Sequence, residues 1–307
     1  MEIRGFVNIN KPTGYSSSDV VIKVRNAITR YTGERVKAGH LGTLDPGGAG
    51  VLPVAVGKAT RLFDYFLQKD KVYRADFYFG KTTDTIDSYG KVIATGRVPS
   101  LDEILRHTEE LVGDIEQTPP MYSAISVDGR RLYDLAREGK NVNIPKRHVH
   151  IYSIDYVGSK SECMHTFDIH CSAGTYIRTI VHDIAERLDT VGYMASIIRL
   201  RSGMFAIEDS VTLDEFYDNI ERYMIPVEDV LSSERYIDVD RRYSRHILNG
   251  IKLDLPRLAT NIVGTNIDGD IERYIEDNEF VVKIEGELIG IGEIDERGLL
   301  NIPTRLI

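Results

Sequence analysis

The stretch AGHLGTLDPGGAGVLP, residues 38–53, sets one carboxylate, Asp45, in a glycine-rich run closed by Pro53. Glycine at this density lets a backbone take positive φ and approach a ligand closely, and Pro46 restricts Asp45 to an extended conformation that fixes where its side chain leaves the chain. Asp-Pro-Gly-Gly is also ordinary turn chemistry. Spacing alone therefore leaves a plain turn and a reaction centre both open, and the flanking sequence has to separate them.

Working outward, Leu52 to Gly57 is a short apolar run that reads as a buried strand, followed by a helix over 59–66. On the other side, Gly5 to Ile9 reads as a strand that turns at Asn10-Lys11-Pro12-Thr13-Gly14-Tyr15. Val20, Val21, Val24, Ala27, Ile28 and Tyr31 then recur at helical spacing, with Ser17 or Ser18 as the cap and Gly33 as the end. Lys71 to Gly80 alternates strictly and predicts a half-exposed strand with Tyr73, Ala75, Phe77 and Phe79 on one face. Ser100-Leu101-Asp102-Glu103 is a capping box opening a helix that Gly113 stops, and Thr212 to Glu215 repeats the device. Residues 149–157 and 164–172 read as strands. Ala173 to Arg178 then turns from strand into a helix with Ile177, Ile180, Val181, Ile184 and Leu188 inward. Tyr176 and Arg178 fall off that stripe, at a junction where α/β proteins place functional groups, although in isolation a packing Tyr and a surface Arg are the commoner explanation of each.

Two further regions differ in character. Residues 119–147 concentrate Arg130, Arg131, Arg137, Lys140, Lys146 and Arg147 around a short helix at about 132–138, either a segment that closes over a ligand or a solvated charged insertion. After residue 232 the pattern changes: a short helix at 241–249 stops at Gly250. From Phe280 short alternating segments are separated by turn signals, the pattern of a small β-barrel.

A chain of 307 residues with 42% hydrophobic and 28% charged content is expected to form one large and one small globular domain. No apolar run reaches membrane-spanning length and the N-terminus lacks a basic-then-apolar leader, which predicts a cytoplasmic protein. Cys163 and Cys171 lack any C-x-x-C spacing, so zinc and a disulfide framework are not expected, and both thiols are read as buried and inert. The net charge of −9 argues against a nucleic-acid partner only if it is evenly spread. Residues 1–61 hold nine Lys/Arg against four Asp/Glu, so the negative excess lies elsewhere and a basic N-terminal face remains compatible with RNA. Neither a P-loop, a G-x-S-x-G elbow nor a zinc-deaminase signature is present.

Several stretches together resemble the bacterial tRNA pseudouridine synthases of the TruB family, which isomerise the T-loop uridine at tRNA position 55. They are Asn10-Lys11-Pro12 with Gly14, Gly39 to Pro46 with Gly50-Val51-Leu52-Pro53, Lys71-Val72-Tyr73, Pro119 to Ala124, Gly174 to Thr179, and Arg199-Leu200 ahead of Ser202-Gly203. The likeness runs through nearly the whole chain in the family's order. It implies an α+β fold: a catalytic domain over 1–234 with a mixed, mainly antiparallel central sheet flanked by helices, and a PUA-like RNA-binding β-barrel over 235–307. Residues 119–147 would be a basic insertion contacting RNA. It also makes Asp45 the nucleophile, Tyr73 the ring stacked on the target base, Arg178 the ion-pair partner of Asp45, Tyr176 and Leu200 the walls of the uridine pocket, and His40 a group holding the T-loop open. No metal or organic cofactor is implied. The partner is the tRNA T-arm stem-loop, with no membrane and no obligatory protein partner, for a monomer. At one point the chain departs from the family's pattern: Gly47-Gly48-Ala49 is a more glycine-rich variant, which loosens the loop without touching Asp45.

Physical chemistry supports these roles. A carboxylate attacks only when ionised, and a neighbouring guanidinium favours that form. A base inside a folded loop has to be flipped out at a cost of roughly a few kcal/mol, and an aromatic platform returns about 1–3 kcal/mol by stacking. The rival reading is a non-catalytic RNA-binding or tRNA-folding module. A third is a guide-RNA-dependent synthase working inside a larger particle, for which the compact chain with no long basic tail gives less support.

Overall fold

The computed structural model describes residues 4–123, 126–127, 130–132, 144–254, 262–265, 279–295, 297 and 299–306. The N-terminal three quarters builds one nine-stranded sheet. Its strands are β1 (Gly5–Lys11), β2 (Ala38–His40), β3 (Ala49–Val56), β4 (Lys71–Phe79), β7 (Gly113–Gln117), β10 (Arg147–Ser161), β11 (Met164–Cys171), β12 (Gly192–Ser202) and β13 (Phe205–Ala206). Two small ribbons account for the intervening numbers: β5 (Lys81–Thr83) with β6 (Val92–Thr95), and β8 (Ser126–Val127) with β9 (Arg130–Arg131). The order is β1-β3-β12-β4-β11-β10-β7, with β2 pairing β3 and β13 pairing β12. Only β3 and β12 run parallel, so the sheet is mixed and mainly antiparallel.

One face of the sheet is roofed by helices. Phe77, Phe79, Phe167 and Ile169 point into a core shared with Ile104 of α3 (Leu101–Glu109) and with Ile177, Ile180, Val181 and Ile184 of α4 (Ile177–Arg187). Here α2 denotes Phe63–Leu67. At the β1 edge, α1 (Ser17–Thr32) lays Val20, Val24 and Ile28 against Val7, Ile9, Leu52 and Val54. On β4 and β11 the opposite face is polar: Arg74 forms a fork on Asp168 with both contacts at 2.7 Å, and the buried Asp76 carboxylate accepts from Lys160, Thr166 and Ser196.

The helix limits differ from the expectation in instructive ways. The cap of α1 is Ser16 rather than Ser17 or Ser18, because Asp19 three residues on completes a capping box with it. This frees Ser17 to turn inward. Gly33 closes the helix in the left-handed conformation, as expected. Residues 57–62 form a 3-10 turn before α2, and α3 ends at Glu109, ahead of Gly113. The helix expected at about 132–138 lies outside the described residues. Of the two cysteines, Cys171 is buried and its thiol is pushed up to about 12 by burial. Cys163 is only half-buried at the β10–β11 turn, where Ser161 and Tyr78 pull its thiol below the ordinary value, so the expectation of two inert thiols holds only for Cys171.

A second, six-stranded sheet follows: β14 (Tyr236–Val239), β15 (Leu253–Asp254), β16 (Ile262–Thr265), β17 (Phe280–Ile284), β18 (Glu287–Ile294) and β19 (Leu299–Arg305), in the order β15-β19-β18-β17-β14-β16. Its alternating apolar residues enclose a core of Ile237, Val239, Phe280, Val282, Ile289 and Leu300. Val281, Ile291 and Leu306 instead pack with Phe6, Leu62 and Phe66 of the first unit. The short helix expected at 241–249 is a 3-10 turn, Arg241–Tyr243, running into a helix, Ser244–Leu248.

Candidate active site

Asp45 stands on the loop between β2 and β3, and the surrounding chain is fastened so that the loop has little freedom. Ser17 Oγ both donates to Leu44 O and accepts from Leu44 N, each at 2.8 Å. Gly14 N donates to Pro46 O at 2.8 Å, and Gly48 N donates to Asp45 O at 2.9 Å. The fully buried Lys11 ammonium donates to Tyr15 O at 2.6 Å and Pro12 O at 3.0 Å and reaches Pro46 O at 3.5 Å. Burial lowers its pKa to about 8, against the opposing pull of Asp45. The Asp-Pro-Gly-Gly turn is thus real, and it serves to present a carboxylate that remains 60% exposed.

A residue that entered the sequence analysis only as part of a motif holds the loop from beneath. Arg199 on β12 is 1% exposed, and its guanidinium donates to Val51 O (2.7 Å), Gly42 O (3.1 Å) and Thr43 O (3.3 Å). One planar cation therefore satisfies three carbonyls of the segment that carries the nucleophile. Gly50, at φ +98°, is required at the crossing: a Cβ there would lie 2.3 Å from Arg199 O.

Arg178 arrives from the first turn of α4, with its side chain only 7% exposed. Nη2 donates to Asp45 Oδ2 at 3.2 Å and to Tyr122 O at 2.8 Å, while Nη1 donates to Thr85 O at 3.2 Å and Asp87 Oδ2 at 3.4 Å. Four acceptors lock the guanidinium, and Asp87 is a second carboxylate partner that no motif had signalled. Tyr176 precedes the helix; its backbone N donates to the buried Gln117 side chain at 3.0 Å. Burial raises its hydroxyl pKa, with Ser123, Arg147 and Arg178 opposing. Tyr73 sits on β4 directly across from Arg199. Burial raises its pKa too, and Arg199 partly offsets that.

Asp45, Tyr73, Tyr176 and Arg178, drawn from distant parts of the chain, line one cleft of about 410 Å³ together with Lys71, Met194, Ile197 and Arg199. Lys71 is buried in its wall, its ammonium given to Leu67 O and Lys69 O, with the pKa brought down to about 8 by burial and by Arg199. Leu200 is not part of the lining: it is half-buried next to Arg199, and Ile197 takes the wall position expected of it. Ile197 and Arg199 stand two residues apart in the regular stretch between the two irregularities of β12 and so share the cleft face, while Leu200 falls at the second irregularity, between Arg199 and Arg201. His40 also lies outside the lining, on β2 opposite Val54, with a buried Nδ1 that has no hydrogen-bond partner among the described residues. Burial and the charge of Arg199 lower its pKa.

Among the described residues, His182, Asp183 and Glu186 on α4 form the one cluster with metal-ligand spacing. They lie outside the cleft, and Asp183 raises the pKa of His182.

Comparison with known proteins agrees with this arrangement. The family described as TruB family pseudouridylate synthase (N terminal domain) matches residues 29–177, and the tRNA pseudouridylate synthase B C-terminal domain matches residues 178–234. A tRNA pseudouridine synthase B of Clostridium perfringens is 37% identical over 299 residues, covering 96% of this chain and 97% of the relative. Those of Clostridium kluyveri and Heliobacterium modesticaldum are 41% and 45% identical, covering 94% and 70% of each chain respectively. Among solved structures, a chain of a Cbf5-Nop10-Gar1 complex superposes with a TM-score of 0.71 at 24% identity, covering 99% of this chain and 85% of that one. A chain of an archaeal box H/ACA sRNP Nop10-Cbf5 complex gives 0.67 at 26% identity, with 99% and 86% covered. With its fold shared and its sequence matched along nearly its whole length, the chain belongs to the TruB family of pseudouridylate synthases.

Proposed function

We propose that the protein isomerises the T-loop uridine at position 55 of tRNA to pseudouridine. The observation that carries the reading is the Asp45 carboxylate, solvent-open at the mouth of a closed-walled cleft and paired at 3.2 Å with a guanidinium that the fold immobilises. The relatives' names supply the substrate. In the proposed reaction the uridine flips into the cleft and its base stacks on Tyr73, between the walls formed by Tyr176 and Ile197. Asp45 adds to the nucleoside as nucleophile. The C1′–N1 bond breaks, the uracil turns, and a C1′–C5 bond forms; C5 loses its proton, N1 gains one, and the carboxylate is released unchanged. Arg178 keeps Asp45 aimed throughout. Phosphoryl groups and metals play no part in these bond changes.

In the same proposal residues 1–234 form the catalytic unit and 235–307 a PUA-like RNA-binding domain, His40 steadies the opened T-loop, and residues 119–147 contact the T-arm. The protein acts in the cytoplasm as a monomer with no obligatory protein partner. Incubation with an unmodified tRNA transcript, followed by nucleoside analysis, tests the reading. Pseudouridine at position 55 without added cofactor or protein supports it; an unchanged transcript overturns it.

A further inference from the structure

The glycine-rich departure at residues 47–49 has a structural counterpart in the turn between β5 and β6. Tyr89 on that turn is 71% exposed, yet its ring rests on the backbone of Gly47, two residues beyond Asp45. A Cβ on Gly47 would lie 2.1 Å from Tyr89 Cε2, 2.9 Å from Cζ and 3.0 Å from Cδ2. The ring thus occupies the place that a side chain at position 47 would take, and any residue other than glycine would displace it.

The turn that carries Tyr89 is tied to the catalytic groups. Tyr89 N and Thr85 Oγ1 both donate to Asp87 Oδ1, at 3.0 and 2.6 Å, while Asp87 Oδ2 accepts from Arg178. Thr83 Oγ1 donates to Asp87 O at 2.6 Å and accepts from Asp87 N at 3.1 Å. Gly90 lets the turn close, since a Cβ there would fall 2.4 Å from both Asp84 Oδ1 and Thr85 Oγ1. A single chain of contacts therefore runs from Tyr89 through Asp87 and Arg178 to Asp45. It fixes the backbone that carries Tyr89, and the ring lies over Gly47, two residues from Asp45, with most of its surface open to solvent.

Resting on the tRNA pseudouridine synthase reading above, we infer that Tyr89 is a second stacking platform: it receives a nucleobase of the substrate loop next to the flipped uridine. An exposed ring with its back supported loses little conformational freedom on binding, and every base offers a π-face to it. Gly47 is its seat.

The chain contains no tryptophan, so Tyr89→Trp places a single indole at the site. In full-length protein also carrying Asp45→Asn, titration with a T-arm stem-loop oligonucleotide is expected to quench that indole, with the same midpoint that a mobility-shift assay reports. In otherwise unaltered protein, Tyr89→Ala raises KM for tRNA by about 5- to 160-fold, the range that loss of one base–aromatic stack implies, with kcat within about twofold and Tm unchanged; Tyr89→Phe restores KM. Unquenched indole emission while the RNA is bound overturns the inference. So does a Tyr89→Ala protein that loses Tm and kcat at constant KM, which would make the ring a structural cover for Gly47. Failure of the parent protein to form pseudouridine is a separate result, and it refutes the reading of function instead.

Discussion

Replacing Arg199 by methionine keeps most of the apolar bulk and removes the cation beneath the catalytic loop. Three carbonyls lose their donor, Gly42 O and Val51 O in buried contacts and Thr43 O in a part-buried one. Each unsatisfied buried acceptor costs about 1–3 kcal/mol, so the two buried ones cost about 2–6 kcal/mol gross and Thr43 O adds a smaller share. Removing a buried guanidinium that has no carboxylate partner among the described residues offsets several kcal/mol of it through relief of desolvation. A net loss of about 2–4 kcal/mol follows, and because all three carbonyls belong to the segment around Asp45, most of it appears as disorder of that loop. At 1.36 kcal/mol per tenfold, the well-placed loop becomes about 30- to 900-fold rarer, and the single-turnover rate falls by that factor. Arg199→Lys recovers only part, since one ammonium cannot span three carbonyls in a plane. The assay is single-turnover conversion with enzyme in excess, beside urea unfolding. An Arg199→Met protein that is destabilised but converts tRNA at the parent rate would refute the argument that this side chain positions the nucleophile.

Two other perturbations isolate single features. Gly50→Ala forces a Cβ to 2.3 Å from Arg199 O at φ +98° and should cost at least about 2 kcal/mol in urea unfolding, whereas Gly39→Ala, with open space around its Cβ, should leave the midpoint unchanged; equal effects would contradict the steric argument. Lys11 and Lys71 have folded pKa values near 8 against an ordinary 10.5. The unfolded chain therefore binds more protons between these values, and stability from each group rises with pH over about 8–10.5. Lys71→Met should flatten that rise in unfolding free energy, and an unaltered pH slope would show that Lys71 does not titrate there.

The legibility of this chain in its sequence follows from how local each signal is. The strand at Lys71–Phe79, the capping boxes at Ser100 and Thr212 and the left-handed stop at Gly33 depend on a few neighbouring residues, and they form as expected. The convergence of Asp45, Tyr73, Tyr176 and Arg178 was readable only through the family's motifs, since periodicity says nothing about which distant strands meet. Leu200, which only the resemblance placed in the pocket, stands outside the cleft lining, and Ile197, two residues from Arg199 on the same face of β12, stands there instead. Arg199, quoted only as part of a motif, and Asp76 and Asp87 were given no role for a related reason. A charged residue in a strand or turn looks solvent-facing until the carbonyls or cations that satisfy it are seen around it. The misread cap of α1 belongs here as well, because Ser17 serves Leu44, twenty-seven residues away, rather than its own helix.

The central claim, that Asp45 is the nucleophile of a uridine isomerisation, is tested most directly by release of tritium from tRNA labelled at C5 of uridine, since that hydrogen must leave when C5 bonds to C1′. With Asp45→Asn under single-turnover conditions, release should fall to background while the variant binds the same tRNA within about threefold of the parent, because the substitution leaves shape and size intact. Release at a substantial fraction of the parent rate by Asp45→Asn would contradict it.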